Sequence, residues 1–304
     1  MLTLIQENRI LVLIIIFLLL CAGAKAVNVI YFNYPGNHYV PRAAINLIIV
    51  CLLIALGLKI QFGDDTYGSD FLRECALGLF VFTIIFWGTE AIQQTPFMPI
   101  DNILISLDAL LHIRVNNYVK FLENWQSIKA VLEYVYDLLV VEMVAVPILL
   151  LALQRYALIY EYYKLIFITA IIGYSIYYFF PTVAPATAIG GIGFSQSQLA
   201  TGVKFYEIHH HILPSTADGG MISFPSFHAI WALLLTYAVR CWRIMFYLLM
   251  SLNIVIIISC VALGWHYLVD IIGSVLIVLL SIWFNNFFLG IYSKAEIVSA
   301  QSIR

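Results

Sequence analysis

Apolar residues fall in long blocks with short polar stretches between them. Eight blocks stand out: 10–30, 43–58, 71–88, 134–153, 165–180, 229–237, 244–263 and 269–289. None alternates with period 2, and backbone groups in hydrocarbon must be bonded within their own segment, so the blocks read as helices and not as strands of a barrel. At about 1.5 Å per residue, a block of about 20 crosses a bilayer core of about 30 Å. The pattern therefore predicts an all-α, polytopic membrane protein with about eight transmembrane helices and both termini on one side.

The polar stretches differ from one another. Residues 31–42 and 59–70 are turn-rich, with Pro35-Gly36, Pro41 and Gly63-Asp64-Asp65. Residues 95–133 mix apolar residues with Asp101, Asp108, Arg114, Lys120, Glu123 and Lys129. At 103–111 the apolar positions fall at helical spacing, a pattern suited to a helix lying at the membrane interface, as an amphipathic connector or a lid over a lipid-binding mouth. Residues 154–164 read as a short loop. Residues 181–223 form the longest polar connection, with His209-His210-His211 on what reads as extended chain and a turn at Asp218-Gly219-Gly220. The organisation expected is N-terminal helices plus an interfacial segment over 1–135, a helical bundle over 136–290 and a short tail over 291–304, all forming one membrane unit. Ala24-Lys25-Ala26 has a faint likeness to a signal-peptidase site, but the long apolar run before it favours an uncleaved anchor.

Composition agrees with the pattern. Of 304 residues 63% are hydrophobic and 11% charged, with mean hydropathy +0.96, against about 25% charged in a soluble domain. A net charge of −2 argues against a nucleic-acid partner. The five cysteines are scattered without metal-ligand spacing, and their odd number implies no disulfide framework. With eight spans, the terminal side holds nine basic residues (Arg9, Lys59, Arg73, Arg155, Lys164, Arg240, Arg243, Lys294 and Arg304) and the other side six (Lys25, Arg42, Arg114, Lys120, Lys129 and Lys204). That bias predicts cytoplasmic termini. The 181–223 connection then faces outward or into a lumen.

The candidate chemistry lies at 224–270. Phe224-Pro225-Ser226-Phe227-His228 precedes one apolar block, Arg240-Cys241-Trp242-Arg243 turns the chain, and a second block returns it to His266-Tyr267-Leu268-Val269-Asp270. Two arms, each about the length of a bilayer crossing, bring His228 and His266 to the same level. His266 and Asp270, spaced i, i+4, share a face if the segment is helical. A carboxylate on Nδ1–H would fix the tautomer and leave Nε2 as a nucleophile. His228, at a helix start, would be the proton donor. Ser226 is an N-cap, a phosphate-oxygen donor, or both. Intramembrane ionisable groups also point to function.

These two motifs resemble the Pro-Ser-x-His and His-x-x-x-Asp signatures of the type 2 phosphatidic acid phosphatase superfamily. The Tyr178-Phe179-Phe180-Pro181-Thr182-Val183-Ala184-Pro185 stretch is similar to a segment of the inositol phosphorylceramide synthase-like branch. The resemblance covers about residues 165–290. It implies a six-helix catalytic bundle, a metal-independent phosphohistidine mechanism without cofactor, His266 as nucleophile, Asp270 as its orienter and His228 as general acid. The superfamily's Lys and Arg-Pro clamp has no counterpart here, and no basic residue lies in 259–265. Lys204 and Arg114, both on the outward side, are the candidate phosphate-binding cations. The expected partner is a membrane lipid bearing a phosphate, phosphodiester or diphosphate, with water or an alcohol as acceptor. A rival reading is a non-catalytic lipid-binding or transport protein with Asp137 and Glu142 lining a path. Another is a metal-dependent membrane hydrolase or oxygenase using His209–His211 with His228 and His266.

Overall fold

The computed structural model describes residues 2–34, 42–63, 66–216 and 222–289. The Pro35-Gly36 turn, the Asp218-Gly219-Gly220 turn and the tail with Lys294 and Arg304 lie outside the described residues. Within them the chain is all-α. In order the helices are α1 (Leu2–Phe32), α2 (Arg42–Phe62), α3 (Tyr67–Gln93), α4 (Asp101–Leu110), α5 (Val115–Glu123), α6 (Gln126–Ala152), α7 (Tyr156–Phe179), α8 (Pro185–Ala188), α9 (Gln196–His209), α10 (Phe227–Ala238), α11 (Arg243–Ala262) and α12 (Leu268–Phe284), the last running into a π-helical turn, Asn285–Leu289. Seven of these are long and apolar enough to cross a membrane, and α10 is a shorter apolar helix.

Helix α7 is the hub: α1, α3, α6, α10 and α12 all pack on it, α11 lies behind α10 and α6, and α2 leans on α3. Burial follows that placement. Sixteen residues of α7, from Leu158 to Tyr177, are buried on all sides, whereas α2 leaves most of its apolar surface to lipid. A helix apolar all round is expected at the centre of such a bundle.

Three local expectations are corrected. Residues 154–164 are not a loop, because α7 begins at Tyr156 and buries Glu161 and Lys164. Glu161 takes Arg240 as an ion-pair partner at 2.5 Å, so the helix carries its charges inward instead of ending before them. The long polar connection is partly helical: Ser195 caps α9 reciprocally with Gln198, accepting from its N–H while the Gln198 side chain accepts from the Ser195 N–H. His209 accordingly ends a helix, where it stacks on Phe205 at 3.9 Å. Finally, α10 has 12 residues, about 18 Å, which is too short for a bilayer core. It can be short because it is sheathed by protein: Ile230, Ala232, Leu234, Leu235 and Val239 are fully buried. Its polar end meets Glu161 without having to reach water.

The interfacial segment becomes α4 and α5, which close one end of the bundle against α12, α11 and α6. Two glycines make this closure possible. Gly264 has φ +81°, and a Cβ there would lie 2.6 Å from Phe194 and 2.8 Å from Val119; Gly193 has φ +104°, with Val119 and Glu123 equally close. Lys129 reinforces the contact, donating to Gly193 O at 3.0 Å and pairing with Glu123 at 2.5 Å.

Candidate active site

The hairpin of α10 and α11 sets the level of the site. Asn253 donates to Thr236 Oγ1 at 2.9 Å, and Ala229 and Cys260 share one apolar cluster, so the two helices run side by side in register up to the start of α10. The chain then returns through a tight turn, with Trp265 and His266 N–H groups both donating to Cys260 O at 3.0 Å. As a result the His228 and His266 rings face each other, centroids 6.0 Å apart and inclined at 55°.

His266 is not on a helix. α12 begins at Leu268 with Tyr267 as its N-cap, and Asp270 reaches back from the first turn to accept from Tyr267 N–H at 2.8 Å. The i, i+4 proximity thus comes from a capped helix start and not from a shared helical face. His266 Nδ1 lies 3.0 Å from Ser223 O and 3.4 Å from Asp270 Oδ2. A carbonyl only accepts, so Nδ1 carries the proton and Nε2 keeps its lone pair. The nearer carbonyl sets the tautomer. Asp270, completely buried, backs it up while accepting from Ser223 Oγ at 2.9 Å. Burial pushes the His266 pKa down to about 4, with the Ser223 carbonyl working against the shift. The pair at 3.4 Å is therefore a contact of a neutral imidazole, not an ion pair at rest.

A second set of carboxylates holds this turn from outside. Asp108 accepts from Leu268 N–H at 2.9 Å and Val269 N–H at 3.0 Å, satisfying two free donors at the α12 start. Asp101 accepts from Tyr267 Oη at 2.9 Å and Val183 N–H at 2.9 Å. Burial raises both carboxyl pKa values, opposed by the N–H donors and, at Asp101, also by the tyrosine. His228 is held by stacking on Tyr136, centroids 4.3 Å apart at 17°. The Tyr136 hydroxyl lies 3.3 Å from Nδ1, but with the rings nearly parallel stacking is the main restraint. Trp265 also stacks on Tyr136, at 5.5 Å.

Between these groups is a cavity of about 290 Å³, lined by both histidines, Tyr136, Asp137, Trp265, Ser223, Ile222, Ala184 and the α9 hydroxyls Ser197 and Thr201. The structure brings His266, Asp270 and His228 together. Ser226 sits behind them: its Oγ accepts from Ala229 N–H at 3.3 Å as the α10 N-cap, it is fully buried, and Ser274 Oγ donates to its carbonyl at 3.0 Å. Arg114 lines a different cavity, with Lys120, Asn116 and Asp108. Lys204 interacts electrostatically with Glu90. Neither cation is among the described residues lining the histidine cavity. The other histidines are elsewhere, with His210 stacked on Tyr206 and His211 against Tyr34. Sequence reasoning missed Tyr136, Ser223, Asp101 and Asp108 as parts of the site. Only the acids left a trace, as polar positions on an amphipathic segment.

The family profile described as the PAP2 superfamily matches residues 102–284, more than half of the chain. The chain belongs to that superfamily. Membership supports a phosphatase-like function on a lipid phosphate within the membrane. The matched region opens in α4, so it takes in both interfacial helices that brace the His266 turn. No curated protein and no solved structure matches the chain.

Proposed function

We propose that this protein is an integral membrane phosphatase or phosphotransferase that works through a phosphohistidine on His266. The observation that supports it is the pair of imidazoles 6.0 Å apart across one cavity, one with its Nδ1 proton committed to Ser223 O. Nε2 of His266 attacks phosphorus, and positive charge developing on the ring is met by Ser223 O and Asp270. The spacing leaves room for one phosphorus at reacting distances of about 3–3.5 Å. His228, taking up a proton as the anionic substrate enters the cavity, gives it to the departing oxygen. It then takes one from the incoming water or alcohol as the phosphoryl leaves His266. Such a group contributes about 10²–10⁴-fold.

The inositol phosphorylceramide synthase-like branch is our reading of the finer affiliation, supported by the 178–185 stretch, and it concerns the transfer chemistry and not the head group. The described lining of the cavity carries no lysine or arginine, in keeping with the missing clamp signature, and the acceptor is water or an alcohol hydroxyl. The basic excess on the terminal side supports cytoplasmic termini and a site facing outward or a lumen. The division at 135 and 290 remains our description of its parts.

The test is trapping. Purified protein given a lipid substrate with labelled phosphorus should acquire an acid-labile, base-stable label that His266→Ala abolishes and EDTA leaves unchanged. Full turnover by His266→Ala, with normal gel-filtration behaviour, would overturn the reading.

A further inference from the structure

The histidine cavity is unusual for a phosphate site in its charge. Its described lining has no lysine or arginine but does contain the carboxylate of Asp137. Asp137 is exposed at the mouth and makes no salt bridge among the described residues. A phosphate monoester there would place further negative charge beside an unneutralised acid, in a wall of reduced dielectric.

We propose that the substrate carries its own cation: the phosphodiester of a zwitterionic lipid whose head group ends in an ammonium, with Asp137 and Trp265 as the ammonium subsite. This rests on the phosphohistidine reading for the reaction, but recognition is measured separately below. An ammonium group is held by a carboxylate together with an aromatic face. Trp265 stacks on Tyr136 at 5.5 Å and remains partly exposed, and no side-chain cation sits over its ring among the described residues. Tyr136 adjoins Asp137 in sequence and stacks on both His228 and Trp265, so it links the subsite to the reacting histidines. The size also fits. About 290 Å³ lies at the low end of small-molecule sites, about 300–1,000 Å³, room for a head group with the lipid tails left in the bilayer. Ser197 and Thr201 supply neutral hydroxyls for the phosphate oxygens.

In this reaction Nε2 of His266 bonds to phosphorus and the bond from phosphorus to the diacylglycerol oxygen breaks. That oxygen takes the proton from His228. The ammonium-bearing phosphoryl group stays on His266 until water or an alcohol attacks it, giving its proton to His228. Asp137 therefore holds the same cation through both half-reactions.

The experiment compares short-chain phosphatidylcholine, phosphatidylethanolamine, phosphatidylinositol and phosphatidic acid as donors for the purified full chain in an uncharged detergent, reading diacylglycerol release. The two ammonium lipids should be preferred, and Asp137→Asn should lower their kcat/KM about tenfold while leaving the other two unchanged or raised. Asp137→Glu should retain the preference. In parallel, His266→Ala protein should bind dodecylphosphocholine about tenfold tighter than dodecyl phosphate, with Asp137→Asn erasing the difference. Turnover without ammonium preference, or a uniform effect of Asp137→Asn on all four donors, overturns the subsite and leaves the phosphohistidine chemistry standing. A binding preference that Asp137→Asn erases, without turnover of any donor, supports the subsite and overturns the chemistry.

Discussion

The two ends of α10 bury polar groups in opposite ways. At its C-terminal end Arg240 pairs with Glu161 at 2.5 Å and lies over the Tyr237 ring at 3.8 Å, while Tyr237 and Asn285 also donate to Glu161 and Lys164 sits in its field. Every charge there faces an opposite charge or a donor. At its N-terminal end, His228 and His266 meet across a cavity, Nε2 of His266 has no protein partner among the described residues, and an acid stands at the mouth. Buried ionisable residues in a membrane protein are thus not of one kind. A closed network holds helices together, and groups held rigidly with one atom left over are ready for a substrate.

That contrast can be broken by mutation. His228→Ala should lower turnover by about 10²–10⁴-fold with little change in thermal stability; an equal loss of both would make it a structural histidine. Arg240→Ala should do the reverse. It leaves the buried Glu161 carboxylate with only Tyr237, Asn285 and the field of Lys164, at a cost of up to about 3–5 kcal/mol, and leaves the turnover of whatever remains folded unchanged. Melting in detergent and activity per folded molecule separate the two.

pH tests the same division. A free imidazole, with pKa about 6.5, would lose about 30-fold of its neutral form at pH 5. With its pKa pushed down to about 4 by burial, His266 stays neutral and nucleophilic there. Single-turnover phosphoenzyme formation should not decline between pH 7 and pH 5, and a 30-fold fall would place the nucleophile elsewhere. The sign for stability follows. A histidine whose folded pKa is depressed stabilises the fold above about 6.5, and that share is lost as pH falls toward 4.

Smaller effects sharpen the picture. Asp108→Ala removes an acceptor from two α12 amides, at about 1–2 kcal/mol, and should slow turnover by loosening the His266 turn, with Asp108→Asn recovering part of both. Ser226→Ala should cost about 1 kcal/mol as a lost N-cap, and Ser226→Gly only a few tenths, with turnover kept in each. A tenfold loss in Ser226→Gly would return that hydroxyl to the phosphate.

The eight apolar blocks and the two histidine motifs were legible because each is a local property: lipid selects apolar runs, and an Asp four residues after a His lies close to it in any helical or capped turn. Lys164 misled because a lysine beside a polar stretch looks like loop, and only its position next to Glu161 in the middle of the bundle explains its burial. The length of α10 misled for a related reason, since a helix wrapped by protein need not match the bilayer.

By itself, then, the sequence determined the class of protein, the level at which the two histidines meet and the acid beside one of them. Tertiary structure alone decided what holds them. Ser223 reaches His266 across 43 positions, Tyr136 reaches His228 across 92, and Asp108 and Asp101 reach the α12 start across 160 to 166. Such partners share no spacing rule, because a hydrogen bond or a stacked ring needs only that two groups arrive at one place, and the packing of the whole bundle determines where they arrive.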